Sequence, residues 1–303
     1  MQKASFDPGL TQKFQGPLTR FINPDGSFNV RRLGTTWRDY HPYLNLINMS
    51  WPSFLAMLFA GYLTVNLIFA VIYFSLGPGQ IQGVGGDTGL TRFADSFFFS
   101  SHTLTTVGYG NIAPKGLEAN IVAAFESVLG VLGFAVATGL LFGRVSRPSA
   151  RLGFSDNLLM TPYQDGTSLQ FRIVNLRRNS IMELQARVML MTVEPSNGDF
   201  KRTYTLLRLE RDQIIFFPLT WTVVHPIDAE SPLYRKTAEE LARMQAEVLI
   251  LLKGYDDTFN QTVLARHSYT VKEFLWDAHF APAFHADEEG ELVLELGKVS
   301  AVR

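Results

Sequence analysis

Apolar residues are concentrated in two long blocks before residue 145, whereas almost every later segment is short, alternating and charged. From Trp51 to Leu76 the chain reads WPSFLAMLFAGYLTVNLIFAVIYFSL, without one Asp, Glu, Lys or Arg. About 20 apolar residues cross a bilayer core as a helix, so an outer membrane helix is expected over 51–76. The block from Leu117 to Gly143 carries only Glu118 near its start and Glu126 inside it, and Gly130, Gly133 and Gly139 offer small positions for close packing or bending. It reads as a second, inner span over 117–143.

Between the spans, Gly77 to Gly89 is rich in glycine and reads as an exposed turn. Its GVGGDTG lacks the Lys-Ser/Thr of a phosphate-binding loop. The apolar stretch Phe93 to Leu104 (FADSFFFSSHTL) is long enough for about three helical turns and too short to cross a membrane. It must dip in and return, which places a re-entrant helix over 93–105.

Ahead of the first span, Thr36 to Asn48 (TWRDYHPYLNLIN) mixes aromatic and aliphatic residues with Arg38, Asp39 and His41, as a helix lying along the membrane interface would. After Pro148 the period changes. Leu169–Asn175, Leu184–Val193 and Glu247–Leu252 read as strands, separated by turn formers at Asp165-Gly166, Asn197-Gly198 and Glu289-Gly290. Many short strands of this kind predict an antiparallel sandwich over 149–303, large enough to bury its own core. The chain thus divides into an N-terminal segment 1–50 with its interfacial helix at about 36–48, a membrane domain 51–148 and the β domain.

Charge sets the orientation. Lys3, Lys13, Arg20, Arg31, Arg32 and Arg38 precede the first span and Arg144, Arg147 and Arg151 follow the second, against Arg92 and Lys115 between them. Both termini are therefore expected in the cytoplasm of a multi-pass protein of the cell (inner) membrane. The sequons at Asn48 and Asn260 fall on that side and should stay unglycosylated. A net charge of −1 points to no nucleic acid partner, and 0 cysteines exclude disulfides, thiolate metal sites and thiol nucleophiles. No nucleophile-elbow sequence is present, and His225, His267, His279 and His285 show no metal-ligand spacing, so these read as hydrogen-bonded sandwich histidines and no enzyme or cofactor is expected.

The most specific signal follows the re-entrant stretch: Thr105-Thr106-Val107-Gly108-Tyr109-Gly110. TVGYG between two spans is the potassium-channel selectivity filter sequence, in which backbone carbonyls replace the water around a bare ion. Gly108 and Gly110 reach backbone angles that residues with a Cβ avoid. Thr106 adds a hydroxyl oxygen, and Tyr109 wedges the strand while its hydroxyl finds a partner. Potassium, the permeant ion, would bind at Thr106, Val107, Gly108 and Tyr109, with the partly negative end of the preceding helix directed at it. One loop supplies a quarter of each carbonyl ring, so a homotetramer is expected. The competing reading, a membrane-anchored β-sandwich binding module without ion flux, leaves this sequence unexplained.

Together with Arg144 to Pro148 (RVSRP), VNLR at Val174–Arg177, TWTVVHPIDAESPLY at Thr220–Tyr234 and ARHSYTVKEFLWDAHF at Ala265–Phe280, these elements resemble the prokaryotic inward-rectifier potassium channels (Kir family, KirBac type). The resemblance spans roughly residues 30 to 300. It implies an immunoglobulin-like sandwich with a short helix near Thr237–Met244, and pore-facing constrictions at Phe134 and Phe142, the candidate gate. Strong rectifiers carry an acidic residue where Phe134 stands, so weak rectification is implied. Arg144 and Arg147 match residues that bind anionic lipid headgroups in eukaryotic relatives, whereas another of that basic cluster is Ser149 here. His102 stands where relatives carry Glu or Gln and could titrate near neutral pH. Glu126, an acid inside a span, needs water, protein or a hydrogen-bonding partner, which assigns it a place behind the filter or along the cavity.

Overall fold

The computed structural model describes residues 8–10, 13–14, 20–34, 36, 41–85, 88–146, 151–196 and 199–303. Residues 37–40 of the expected interfacial helix, Gly86-Asp87, Arg147, Pro148 and Asn197-Gly198 lie outside them. In chain order, strand β1 (Lys13–Phe14) precedes helices α1 (Pro42–Asn48) and α2 (Trp51–Ser75). Strand β2 (Ile81–Gln82), helix α3 (Gly89–Leu104), strand β3 (Ala113–Pro114) and helix α4 (Leu117–Val145) follow. The remainder comprises β4 (Leu152–Phe154), β5 (Leu158–Tyr163), β6 (Gly166–Asn175), β7 (Ile181–Ser196), β8 (Asp199–Leu206), β9 (Gln213–Phe216) and β10 (Thr220–Ile227). Helix α5 (Ala238–Arg243) then leads to β11 (Glu247–Asp256), β12 (Gln261–Thr270), β13 (Phe274–Trp276), β14 (Phe284–Ala286) and β15 (Leu292–Leu294). The chain forms two compact units, one of residues 33–147 and one of residues 1–32 with 148–303.

In the first unit, Ser50 caps α2 by accepting from the Ser53 amide, with Pro52 in the first turn where its missing N–H costs nothing. The 25 residues of α2 and 29 of α4 give about 38 and 44 Å of helix, enough for a bilayer core. Phe59, Ile68 and Val71 on α2 and Phe125, Val128 and Val136 on α4 are exposed, a surface that suits lipid or further protein rather than water. Helix α3 starts at Gly89, four residues before the expected Phe93. Thr88 and Thr91 form a reciprocal cap there, which converts the end of the glycine-rich stretch into a helix start. Its 16 residues span only about 24 Å.

The second unit is a sandwich of two sheets with a separate two-stranded pair, β14–β15. One has the order β1-β8-β7-β11-β12 with β9 also on β7, and the other β10-β6-β5-β13 with β4 also on β6. All its pairs are antiparallel except β13 with β5, where Phe274 meets Leu158 in parallel. Alternation builds the core: along β10, Trp221, Val223, His225 and Ile227 turn inward while their neighbours do not. Trp221 and Val223 pack with Leu158, Phe171, Val188, Val248, Ile250 and Tyr269 between the sheets. The β5–β6 hairpin turns on Gln164-Asp165, with Gln164 in the left-handed region at φ 50°.

Candidate functional site

The loop after α3 has an unusual backbone. Thr106, Gly108 and Gly110 have φ of 60°, 57° and 84°, while Val107 and Tyr109 between them do not take positive values. In an ordinary strand successive carbonyls point to opposite sides. Reversing the sign of φ at every second residue turns successive carbonyls toward one side, the geometry needed to line an ion path. Thr106 holds this conformation despite its branched Cβ, a strained choice of the kind found at functional sites.

His102, on the last turn of α3, supports the loop in two ways. Its carbonyl accepts from the Val107 and Gly108 amides at 3.0 and 3.4 Å. Its ring meets the Tyr109 ring edge-on, with centroids 4.9 Å apart. Beneath the loop lies a cavity of about 870 Å³ lined by Tyr62, Leu104, Thr105, Thr106, Gly130 and Phe134. The loop and Phe134 thus share one space. Phe142, two turns on, does not line it; both rings are exposed, at 77% and 71%.

Glu126 is fully buried on α4. The Tyr73 hydroxyl of α2 donates to its Oε2 at 2.6 Å, and the Ser100 hydroxyl of α3 lies 2.5 Å from its Oε1. Ser100 also lies 3.1 Å from Asn66 Oδ1, whose amide donates to the Tyr62 carbonyl at 2.8 Å. Three helices are therefore joined by polar contacts behind the loop. The acid was visible in the sequence, but Tyr73, Ser100 and Asn66 were not, because nothing in a span's composition says which polar residues face each other.

Arg144 is engaged within the first unit. Its guanidinium donates to the carbonyls of Leu46, Ile47 and Met49, at 2.9 Å for Ile47 and 2.6 Å for Met49. It also lies over the Trp51 and Phe54 rings, at 4.7 and 4.4 Å. Next to it, Gly143 faces Tyr43 so closely that an added Cβ would sit 2.9 Å from the phenol oxygen.

In the sandwich, His225 is buried with Nδ1 on the Arg208 carbonyl at 2.6 Å and Nε2 on the Ser231 hydroxyl at 2.8 Å, and burial pushes its pKa down. His279 pairs with Thr161 at 3.1 Å and His285 with Glu295 at 3.3 Å. His267 stacks on Phe154, rings 4.5 Å apart, and its Nδ1 is buried without a hydrogen-bond partner among the described residues. Among the described residues no group of three His, Asp or Glu is placed to hold a metal.

Comparison with known proteins agrees with this arrangement. A family model for the inward rectifier potassium channel C-terminal domain matches residues 152–303, and one for ion channels matches residues 61–147. The chain is 38% identical to the inward rectifier potassium channel Kirbac3.1 of Paramagnetospirillum magnetotacticum, over 92% of this chain and 94% of that protein. It is 30% identical to the G protein-activated inward rectifier potassium channel 1 of Rattus norvegicus, over 89% of this chain but 58% of that longer protein. With the two membrane-length helices, the re-entrant helix and the β domain, these matches show that the chain belongs to the inward rectifier potassium channel family and is a potassium channel of prokaryotic Kir type.

Proposed function

We propose that four copies of this chain surround one pore in a cell membrane, with both termini in the cytoplasm, and that potassium passes through a filter made by Thr106 to Gly110. The observation that carries this reading is the positive φ at every second residue, Thr106, Gly108 and Gly110, after a helix too short to span. Carbonyls on one side of one chain need three more chains to enclose an ion. K+ would bind at Thr106, Val107, Gly108 and Tyr109, and no cofactor takes part in passive conduction.

Phe134 and Phe142 are the proposed gate, where four copies of an apolar ring exclude water and ions. Phe134 borders the same cavity as the filter residue Thr106, which supports a place on the conduction path. Helix α1 is the interfacial segment. Anionic lipid is the proposed modulator at Arg144 and Arg147, although a headgroup reaching Arg144 must compete with the backbone carbonyls it already holds. His102 and Glu126 act from behind the filter, His102 through its contact with Tyr109.

The test is cation flux into liposomes holding the purified protein, potassium against sodium, with barium as blocker. Potassium-selective, barium-blocked flux that disappears in Gly110→Asp is the expected result. A tetramer that conducts both cations equally would refute the filter assignment.

A further inference from the structure

The four polar groups behind the loop contain a proton-counting constraint. Asn66 donates to the Tyr62 carbonyl through Nδ2, which fixes the amide so that Oδ1 faces Ser100. The Ser100 hydroxyl therefore has two oxygen neighbours, Asn66 Oδ1 at 3.1 Å and Glu126 Oε1 at 2.5 Å, and only one hydrogen to give. If Glu126 were a carboxylate, Ser100 would donate to it and Asn66 Oδ1 would face a bare hydroxyl oxygen. If Glu126 carries a proton, every group is matched: Glu126 donates to Ser100, Ser100 to Asn66, and Asn66 to the Tyr62 carbonyl.

The surroundings favour the second arrangement. Glu126, Ser100 and Asn66 are all fully buried, Asn66 and Glu126 on the membrane-length helices α2 and α4 and Ser100 on the short helix α3 between them. Tyr73 is the titratable group that meets Glu126 from α2, α3 meets it through Ser100, and no Lys, Arg or His is among its hydrogen-bond or ion-pair partners in the described residues. A carboxylate there would be a buried charge without a counter-ion, a far more costly state than a neutral acid with both oxygens satisfied.

We propose that Glu126 is held as a neutral carboxylic acid, and that the relay Glu126 to Ser100 to Asn66 to Tyr62 makes it a positioning residue that seats α3, and with it the loop, between α2 and α4. Only the consequence for selectivity rests on the filter reading; the proton does not. Glutamine offers the same amide or acid shape with a donor and an acceptor, so Glu126→Gln should rebuild the relay, whereas Glu126→Ala removes both.

Infrared difference spectra of the full-length protein in lipid at neutral pH, parent against Glu126→Gln, read the proton directly. A carboxylic-acid C=O band present in the parent and missing in the variant is expected, together with potassium-selective flux in Glu126→Gln within about twofold of the parent. Glu126→Ala should lose about tenfold or more. A carboxylate band in place of the acid band, or a glutamine variant as impaired as the alanine one, would overturn the proposal. Should the alanine variant not assemble, the spectrum and the glutamine rescue still decide it.

Discussion

The guanidinium of Arg144 donates to the carbonyl of Met49 at 2.6 Å, joining the last turn of the inner helix α4 to the elbow where α1 becomes α2. Helix α1 ends there without a basic residue of its own in its last turn. Its free carbonyls are instead satisfied by an arginine from another helix, a favourable placement for a cation at a C-terminus. Leu46 and Ile47 share the same side chain, and Trp51 and Phe54 enclose it. These contacts tie the end of α4 to α1. Arg144→Gln should uncouple the two helices, changing open probability by tenfold or so in planar bilayers, since each hydrogen bond to a charged group is worth about 1.5–3 kcal/mol. The potassium-to-sodium permeability ratio should stay unchanged. A variant with parental gating would show that the clamp is passive.

Gly130 lies against the end of the re-entrant helix. A Cβ there would stand 2.0 Å from the Leu104 carbonyl oxygen, an obstacle made of backbone that cannot rotate away. Gly130→Ala should push α3 and the loop it supports out of place, at a cost of about 1–3 kcal/mol for an overpacked site. Reduced thermal stability in detergent and weakened cation selectivity are expected together. Full stability and selectivity in the variant would mean that the helices separate easily.

Several of these features were legible in the sequence and several were not, for physical reasons. The span positions follow from uninterrupted apolar runs, and the Thr106–Gly110 loop from its motif and from glycines at two of its three positive-φ positions. The start of α3 was missed because Thr88 and Thr91 act as a cap only by folding back on each other, while the glycines before them signal a turn. Arg144 could be placed after a span but not matched to its carbonyls, since backbone acceptors leave no mark on composition. The parallel pairing of β13 with β5 and the docking of residues 20–29 on the sandwich join segments far apart in the chain, and no local period reports them.

That docking depends on Arg20. Its guanidinium donates to Ile22 and Ser268 and to Glu273 at 3.0 Å, across 253 residues of sequence. Glu247 completes the seat by accepting from the Phe21 amide at 3.0 Å. The Arg20–Glu273 pair retains 16% and 27% exposure, so solvent weakens it relative to a buried pair. Arg20→Ala should cost about 2–3 kcal/mol through the hydrogen bonds lost, and hydrogen exchange of residues 20–29 should rise while that of β6 does not. A double-mutant cycle with Glu273→Gln should show coupling. Additive effects would assign the loss to Ser268 and Ile22 instead.

His267 gives the sandwich a pH dependence. Burial, and secondarily the nearby Arg20 charge, push its pKa down to about 4, while Glu273 and the Pro24 backbone oppose the shift. The neutral ring is thus favoured in the native state, stacked on Phe154 and edge-on to Tyr269. Between the ordinary value near 6.5 and about 4, the unfolded chain binds a proton that the native chain refuses, so stability rises with pH across that window. The contribution is fully present above about 6.5, declines as pH falls and is gone below about 4. From pH 7.5 to pH 5 the loss should be about 2 kcal/mol. The parent is compared with His267→Phe, which keeps the ring stack and removes the proton site, so that pH effects common to both proteins cancel. Thermal unfolding of the full-length protein in detergent should show a steeper decline in the parent than in His267→Phe between pH 7.5 and 5. Parallel curves would mean that the ring reaches water in the native state and titrates as it does in the unfolded chain.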